Sequence, residues 1–166
     1  MEDPISIPLD VILQTVREKC KGVSAYLSCT ECSKTSANFI FPAIICQRVG
    51  LLLCNVSRNG CRYVQSMKLR VGAFELSPEE DARHKRLLVC SAEKQFDCVL
   101  GELRSSTADY EQKMGGTTTE SGKSNLKWVF DTVRNMKARV QIVFGLLQAP
   151  NWGRQVGVEE YFCRPT

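Results

Sequence analysis

The segment FIFPAIICQRVGLLLCNVSRNGC, residues 39–61, contains the longest apolar run of the chain and its strongest turn signal. Within it, the apolar residues 39–46 and 51–53 flank the tetrapeptide QRVG. Two short apolar runs separated by a few residues that include glycine are typical of a β-hairpin. The dipeptide Asn59-Gly60 near its end favours a tight turn. We therefore expect this segment to form a β-hairpin that leads into a turn.

Four cysteines form two pairs, one before this segment and one near its end. Cys29 and Cys32 are separated by two residues, and Cys54 and Cys61 by six. A turn with two residues between its cysteines lets both thiolates face one tetrahedral Zn²⁺ ion, and a second pair closes the shell. The second spacing is wider than the usual gap of about two to four residues. The pattern predicts a structural zinc site on these four cysteines, with no open position for catalysis.

Other interpretations of the cysteines stay open. Cys46 or Cys20 is the substitute if one of the four is not a ligand, and buried apolar cysteines or redox chemistry are the alternatives to zinc. The N-terminus lacks the basic and apolar regions of a signal peptide, so we expect an intracellular protein whose thiols are kept reduced. In that compartment clustered cysteines favour metal over disulfides. Cys163 has no evident role.

The rest of the chain alternates between helical and extended patterns. Residues 1–22 form an N-terminal helix or linker, with a helix over 8–20, and residues 23–163 form the main domain. Within that domain the patterns predict strands at 23–28, 62–76, 86–91, 140–147 and 156–162, helices at 92–103 and 125–137, and a flexible loop at 104–124. This order favours a small mixed β-barrel, mostly β with helices.

Composition excludes several classes of protein. The chain has 166 residues, a net charge of +4 and one histidine, which rules out a histidine-rich metal centre. Residues 116–124 fail the spacing of a phosphate-binding P-loop, and no hydrolase motif is present, so we expect no enzymatic activity. A mildly basic chain permits an acidic partner without requiring one.

The cysteine pairs, the segment RYVQSMKLRV (62–71) and the segment AEKQFDCVLG (92–101) together resemble the C-terminal OB-fold of the replication protein A large subunit. More narrowly, the chain is similar to the C-terminal OB region of shieldin complex subunit 2. The resemblance implies a Greek-key OB-fold with an inserted zinc ribbon over residues 26–63. It also implies a nuclear, chromosome-associated module of a shieldin-like DNA double-strand break repair complex, which protects ends from resection and favours end joining.

The expected partners are single-stranded DNA and other subunits of such a complex. Basic side chains combined with an aromatic platform suit single-stranded DNA, because phosphates are neutralised while bases stack. The candidate DNA-binding residues are Arg62, Lys68, Arg70, Lys85, Arg86 and Trp128. The alternative function is a protein-interaction OB module that keeps the structural zinc but has little DNA affinity of its own.

Overall fold

Long helices dominate the computed structural model, which describes residues 7–60, 62, 63, 70–149 and 152. Helix α1 spans Leu9–Ser28, α2 Ile40–Arg58, α3 Pro78–Met114 and α4 Glu120–Gln148. Within the described ranges the only strands are β1 (Arg70–Val71) and β2 (Phe74–Glu75), which pair antiparallel with Arg70 opposite Glu75. About 80% of the residues that the structure describes are helical, so the prediction of a mostly-β OB-fold with an inserted zinc ribbon is wrong.

The four helices form a bundle around one apolar core. Helix α1 packs mainly on α2 and α3, and α4 packs mainly on α2 and α3. Phe39 contacts Tyr110 with ring centroids 5.5 Å apart, whereas Gly50, farther along α2, faces Phe96, so α2 and α3 are antiparallel. Helix α4 runs parallel to α2, because Ser36 lies near Gly122 and Gly50 lies near Met136. The C-terminal halves of the neighbouring helices α2 and α4 therefore lie side by side.

Local sequence signals set the starts of the two longer helices. The hydroxyl of Ser77 accepts a hydrogen bond from the backbone N–H of Glu80, whose carboxylate accepts one from the Ser77 N–H, and Pro78 follows at the first helical position. This reciprocal capping box satisfies two of the backbone donors left free at a helix start. At the start of α4, the Thr119 hydroxyl accepts a single capping hydrogen bond from the backbone N–H of Gly122.

The segment predicted as a hairpin is helix α2. Its buried apolar residues follow helical spacing, at Ala43, Cys46, Val49, Leu53 and Val56. Apolar residues also occupy the exposed side of α2, so the helical periodicity is hidden in the sequence. By length and composition alone α2 could also cross a membrane, with a mean hydropathy of 1.6, but 44% of that window is buried inside the bundle. A core helix of a bundle passes the same test, so this is weak evidence for a membrane span.

Other predicted elements also change. The segments expected to be strands at 23–28, 86–91 and 140–147 instead lie within helices α1, α3 and α4, respectively. The helix predicted at 8–20 is confirmed and runs on to residue 28, so the predicted boundary at residue 22 lies inside α1. The helices predicted at 92–103 and 125–137 are confirmed as parts of α3 and α4, and the loop predicted at 104–124 is helical except at 115–119. The strand predicted at 156–162 lies outside the described residues.

Among the described residues of the stretch predicted as one long strand at 62–76, only residues 70–71 and 74–75 are in strands. Two residues on each side of a tight turn pair as β1 and β2, and Gly72 at that turn has φ of 62°. This left-handed conformation suits glycine, because it has no Cβ to clash with the backbone. Residues 64–69 of this stretch lie outside the described part of the chain.

Candidate binding groove between helices α2 and α4

The three described cysteines of the predicted zinc site, Cys29, Cys32 and Cys54, lie at different levels of the bundle. Cys29 follows the last residue of α1 and Cys32 lies in the next turn, whereas Cys54 lies near the far end of α2. Fourteen residues of α2 separate its first turn from Cys54, which is on the order of 20 Å along the axis. No three His, Cys, Asp or Glu side chains gather into a metal site among the described residues. Cys61 is outside them, so the four-cysteine shell stays a prediction.

The two substitute ligands are core residues. Cys20 and Cys46 are both 2% exposed. Burial disfavours the charged thiolate, which raises the pKa of Cys20 to about 11 and that of Cys46 to about 12. Each therefore behaves as a small apolar side chain that fills the bundle interior.

The residues predicted to bind DNA are not brought together as one set. Lys85 is buried, with its Nζ 2.7 Å from Asp81 Oδ2, which keeps it off the surface. Arg86 is half-buried on α3, and Trp128 is 40% exposed on the first half of α4. Arg62 is exposed, one turn beyond the end of α2. The backbone of Arg70 belongs to β1, and Lys68 lies outside the described residues.

A groove runs between the C-terminal halves of α2 and α4 and has a volume of about 560 Å³. Its apolar surface includes Leu51 from α2 and Ile142 and Leu146 from α4. Leu51 is 45% exposed and Ile142 is 64% exposed, although both are large aliphatic side chains. Adjacent exposed aliphatic side chains on a folded domain are typical of an interaction site.

Two arginines lie on opposite walls of this α2–α4 groove, Arg58 on α2 and Arg139 on α4. Within the described part of the chain, neither forms an ion pair. By contrast, other basic residues of α4 have partners: Lys137 Nζ is 3.0 Å from Asp97 Oδ1, and Arg134 pairs with Asp131. The groove therefore presents two guanidinium groups that no carboxylate of the described residues neutralises.

The surrounding sequence strengthens this positive potential. Helix α2 contains two arginines and no Asp or Glu, and α4 contains no acidic residue after Asp131. Among the described residues, the groove is consequently lined by arginine, asparagine, cysteine and aliphatic side chains, with no carboxylate. Arginine is enriched at protein interfaces because its planar guanidinium binds carboxylates bidentately and tolerates partial desolvation.

Polar contacts fix the far end of the groove. The side-chain amide of Asn59 donates to the Asn55 side-chain oxygen at 2.6 Å, and Asn55 Nδ2 donates to Tyr63 Oη at 3.4 Å. Trp152 Nε1 donates to the carbonyl oxygen of Ser57 at 3.0 Å. A Cβ at Gly60 would lie 2.5 Å from this indole, so glycine permits the close approach. These contacts hold the end of α2 in place beside α4.

The groove was not predicted from the sequence, because the expected OB-fold assigns its two walls to separate elements. In the predicted barrel, Arg58 belonged to a turn and Arg139 preceded a strand. The available signal was the charge of each segment, since residues 40–58 contain arginine without any acid. Only the pairing of α2 with α4 brings these arginines to the same groove.

No protein-family model, curated protein or solved structure matches the chain.

Proposed function

We propose that the chain is a non-enzymatic protein-interaction module whose α2–α4 groove binds an acidic amphipathic helix of a partner protein. The observation that carries this proposal is the pair of arginines, Arg58 and Arg139, on the walls of an apolar groove; among the described residues neither has an ion-pair partner and no carboxylate lines the groove. A helix laid into such a groove buries its apolar residues at positions i, i+3 and i+4. Acidic residues beside that stripe form charge-assisted hydrogen bonds with the arginines.

The balance of surface types favours a protein over a nucleic acid. Leu51, Ile142 and Leu146 provide apolar contact area that a phosphate backbone does not use. No aromatic side chain lines this groove among the described residues, so it offers no platform for stacking bases. Apolar anchors ringed by arginine are instead the composition of a protein interface.

The test uses two designed 18-residue helical peptides with the same leucine stripe, one flanked by glutamates and the other by lysines. Fluorescence anisotropy with the full chain is expected to show the acidic peptide binding at least about tenfold more tightly, a difference of about 1.4 kcal/mol. The double variant Arg58→Glu/Arg139→Glu is expected to reverse this preference, because the charge of the groove changes sign.

A matched control separates the groove from net charge. Arg17→Glu/Arg104→Glu changes the net charge equally, at exposed sites on α1 and α3 that do not line the groove. It is expected to keep the preference of the wild-type chain. Equal affinity for both peptides, or the same loss in both double variants, would contradict the proposal.

Single-stranded DNA binding is the second candidate, because the exposed Arg62 lies one turn beyond the end of α2 and adds a basic side chain to this end of the bundle. A labelled oligothymidylate is titrated in the same assay at several salt concentrations. DNA affinity that falls steeply with salt and is lost in Arg58→Glu/Arg139→Glu, together with no peptide discrimination, would replace the protein proposal. Nuclear localisation, a role at DNA breaks and the absence of enzymatic activity stay predictions from the sequence.

A further inference from the structure

Two cysteines lie together on the surface at the end of α1. Cys29 is the C-cap residue of that helix and is half-buried, and Cys32 is exposed three residues later. The backbone N–H of Cys32 donates a hydrogen bond to Cys29 Sγ at 3.2 Å, so the two cysteines belong to one closed turn. The other described cysteines are spread along α1, α2 and α3 without this turn geometry.

The turn distinguishes the two thiols chemically. Hydrogen bonds from the Cys32 side chain, from the backbone N–H groups of Cys32 and Glu31, and the nearby Lys34 ammonium lower the pKa of Cys29. The same hydrogen bond raises the pKa of Cys32. The backbone N–H of Cys32 points at Cys29 Sγ and stabilises a thiolate there, so we expect Cys29 to attack first and Cys32 second.

We propose that Cys29 and Cys32 form a dithiol–disulfide pair that exchanges with low-molecular-weight disulfides. The thiolate of Cys29 attacks one sulfur of the small disulfide RSSR, a Cys29–R disulfide forms, and RS⁻ leaves and takes up a proton. Cys32 then loses its proton and attacks Cys29 Sγ, which forms the Cys29–Cys32 disulfide and releases a second RSH. Two electrons pass from the protein dithiol to RSSR, giving two RSH.

Among the described residues, no third Cys, His, Asp or Glu joins this pair. Cys61 lies outside them, so the predicted four-cysteine zinc site is the alternative that the experiment must separate from thiol–disulfide exchange. Both sulfurs are reachable from solvent, which thiol–disulfide exchange requires. The pair also lies outside the α2–α4 groove, so the proposal is independent of the proposed function.

The experiment equilibrates the reduced full chain with mixtures of reduced and oxidised glutathione. After acid quenching and alkylation, peptide mass spectrometry assigns the oxidised cysteines. We expect the Cys29–Cys32 disulfide as the main oxidised species. Cys32→Ser is expected to accumulate the glutathione adduct on Cys29, and Cys29→Ser is expected to lose the disulfide completely. Cys98→Ser removes an exposed cysteine on α3 and is expected to leave the exchange unchanged.

Two results would overturn the proposal. One is glutathione adducts that accumulate on Cys98 before any Cys29–Cys32 disulfide forms. The other is stoichiometric zinc in the reduced protein that blocks exchange and is lost in Cys29→Ser. Far-UV circular dichroism of each variant checks that the helices are intact, which the position of the turn outside the core leads us to expect.

Discussion

Helix α2 has an open cleft on each side, and the two clefts differ in charge. The α1–α2 cleft has a volume of about 360 Å³ and is lined by Val23, Tyr26, Phe41, Pro42 and Ile45 with Gly22 and Asn38, none of them charged. The α2–α4 groove is about 560 Å³ and contains two arginines. Both expose large apolar side chains, yet only the groove carries a charge that selects the chemistry of an occupant.

This difference shows why one helix has apolar residues on every side. One side of α2 fills the core, a second borders the α1–α2 cleft with Phe41 68% exposed, and a third borders the groove with Leu51 45% exposed. Cleft walls and core thus use the same residue types in α2. What distinguishes the groove side of α2 from the α1–α2 cleft is its charged residue, Arg58.

The largest expected effect separates the core side of α2 from its groove side. Leu53 is 1% exposed and Leu51 is 45% exposed, although they are only two residues apart. Leu53→Ala is expected to reduce the free energy of unfolding by about 2–5 kcal/mol through lost burial and a cavity. Leu51→Ala is expected to change it by less than about 0.5 kcal/mol. Urea denaturation followed by circular dichroism measures both.

The same pair of variants tests the fold itself. In a strand, residues two apart point to the same face, whereas in a helix they are about 200° apart. Similar losses for Leu51→Ala and Leu53→Ala would favour the hairpin that the sequence pattern predicts. A loss confined to Leu53→Ala would support α2.

The sequence predicted the amphipathic helix α1 correctly but not α2, for a physical reason. Helix α1 is polar on its outer face, so its buried residues recur at helical spacing. Helix α2 is apolar on the core side and along both clefts, and it contains isoleucine, valine, proline and glycine, which favour strands and turns locally. Packing of α2 between α1, α3 and α4 overrides these preferences.

The candidate sites divide in the same way. The cysteine turn at Cys29 and Cys32 could be found from sequence, because its geometry depends only on neighbouring residues. The groove could not, because Arg58 and Arg139 are 81 residues apart and meet only through the packing of α2 on α4. The burial of Lys85 beside Asp81 likewise depends on the bundle, so its charge alone suggested a surface role.

A second prediction concerns Glu93, a buried carboxyl group on α3 behind Cys54 of the groove wall. It is 1% exposed, and neither of its oxygens has a hydrogen-bond partner among the described residues. Burial, with a smaller effect of the nearby Asp97 carboxylate, raises the pKa of Glu93 to about 7. In the unfolded chain this carboxyl group has an ordinary pKa near 4.5. The folded chain therefore keeps a proton that the unfolded chain releases.

The sign of the pH dependence follows from that difference. The stabilisation from Glu93 is fully present below about pH 4.5 and is lost as pH rises to about 7, by on the order of 3 kcal/mol. Glu93→Gln mimics the protonated side chain and is expected to remove this loss, making the variant more stable than wild type above pH 7. Urea denaturation from pH 4.5 to 8 measures it. The exposed Glu111→Gln on the same helix is the control, and an unchanged pH profile in Glu93→Gln would contradict the prediction.

A third prediction tests how tightly α2 is seated. A Cβ at Gly50 would lie 2.8 Å from Met136 Sδ and 3.4 Å from the Phe96 ring, so a large side chain must displace both neighbours. Gly50→Leu is expected to cost about 1–3 kcal/mol by overpacking. Gly145→Leu on α4 meets nothing within 4 Å and is expected to be neutral or to stabilise by up to about 1 kcal/mol through helix propensity. Equal changes in thermal unfolding would show that α2 does not approach α3 and α4 this closely.

The smallest expected effect is a difference in the rate of cysteine alkylation between the groove side and the core side of α2. Cys54 is half-buried and lines the groove, whereas Cys46 is 2% exposed with its pKa raised by burial to about 12. Partial burial also raises the pKa of Cys54. Alkylation at pH 8 is nevertheless expected to modify Cys54 faster than Cys46 in the folded chain, because Cys54 is half-buried at the groove whereas Cys46 lies in the core, where the reagent does not reach it. The acidic peptide is expected to slow modification of Cys54 and leave Cys46 unchanged. Slowing of neither cysteine by a bound peptide would place that peptide elsewhere, and the α1–α2 cleft, whose wall contains the exposed Phe41, would then be the surface to test.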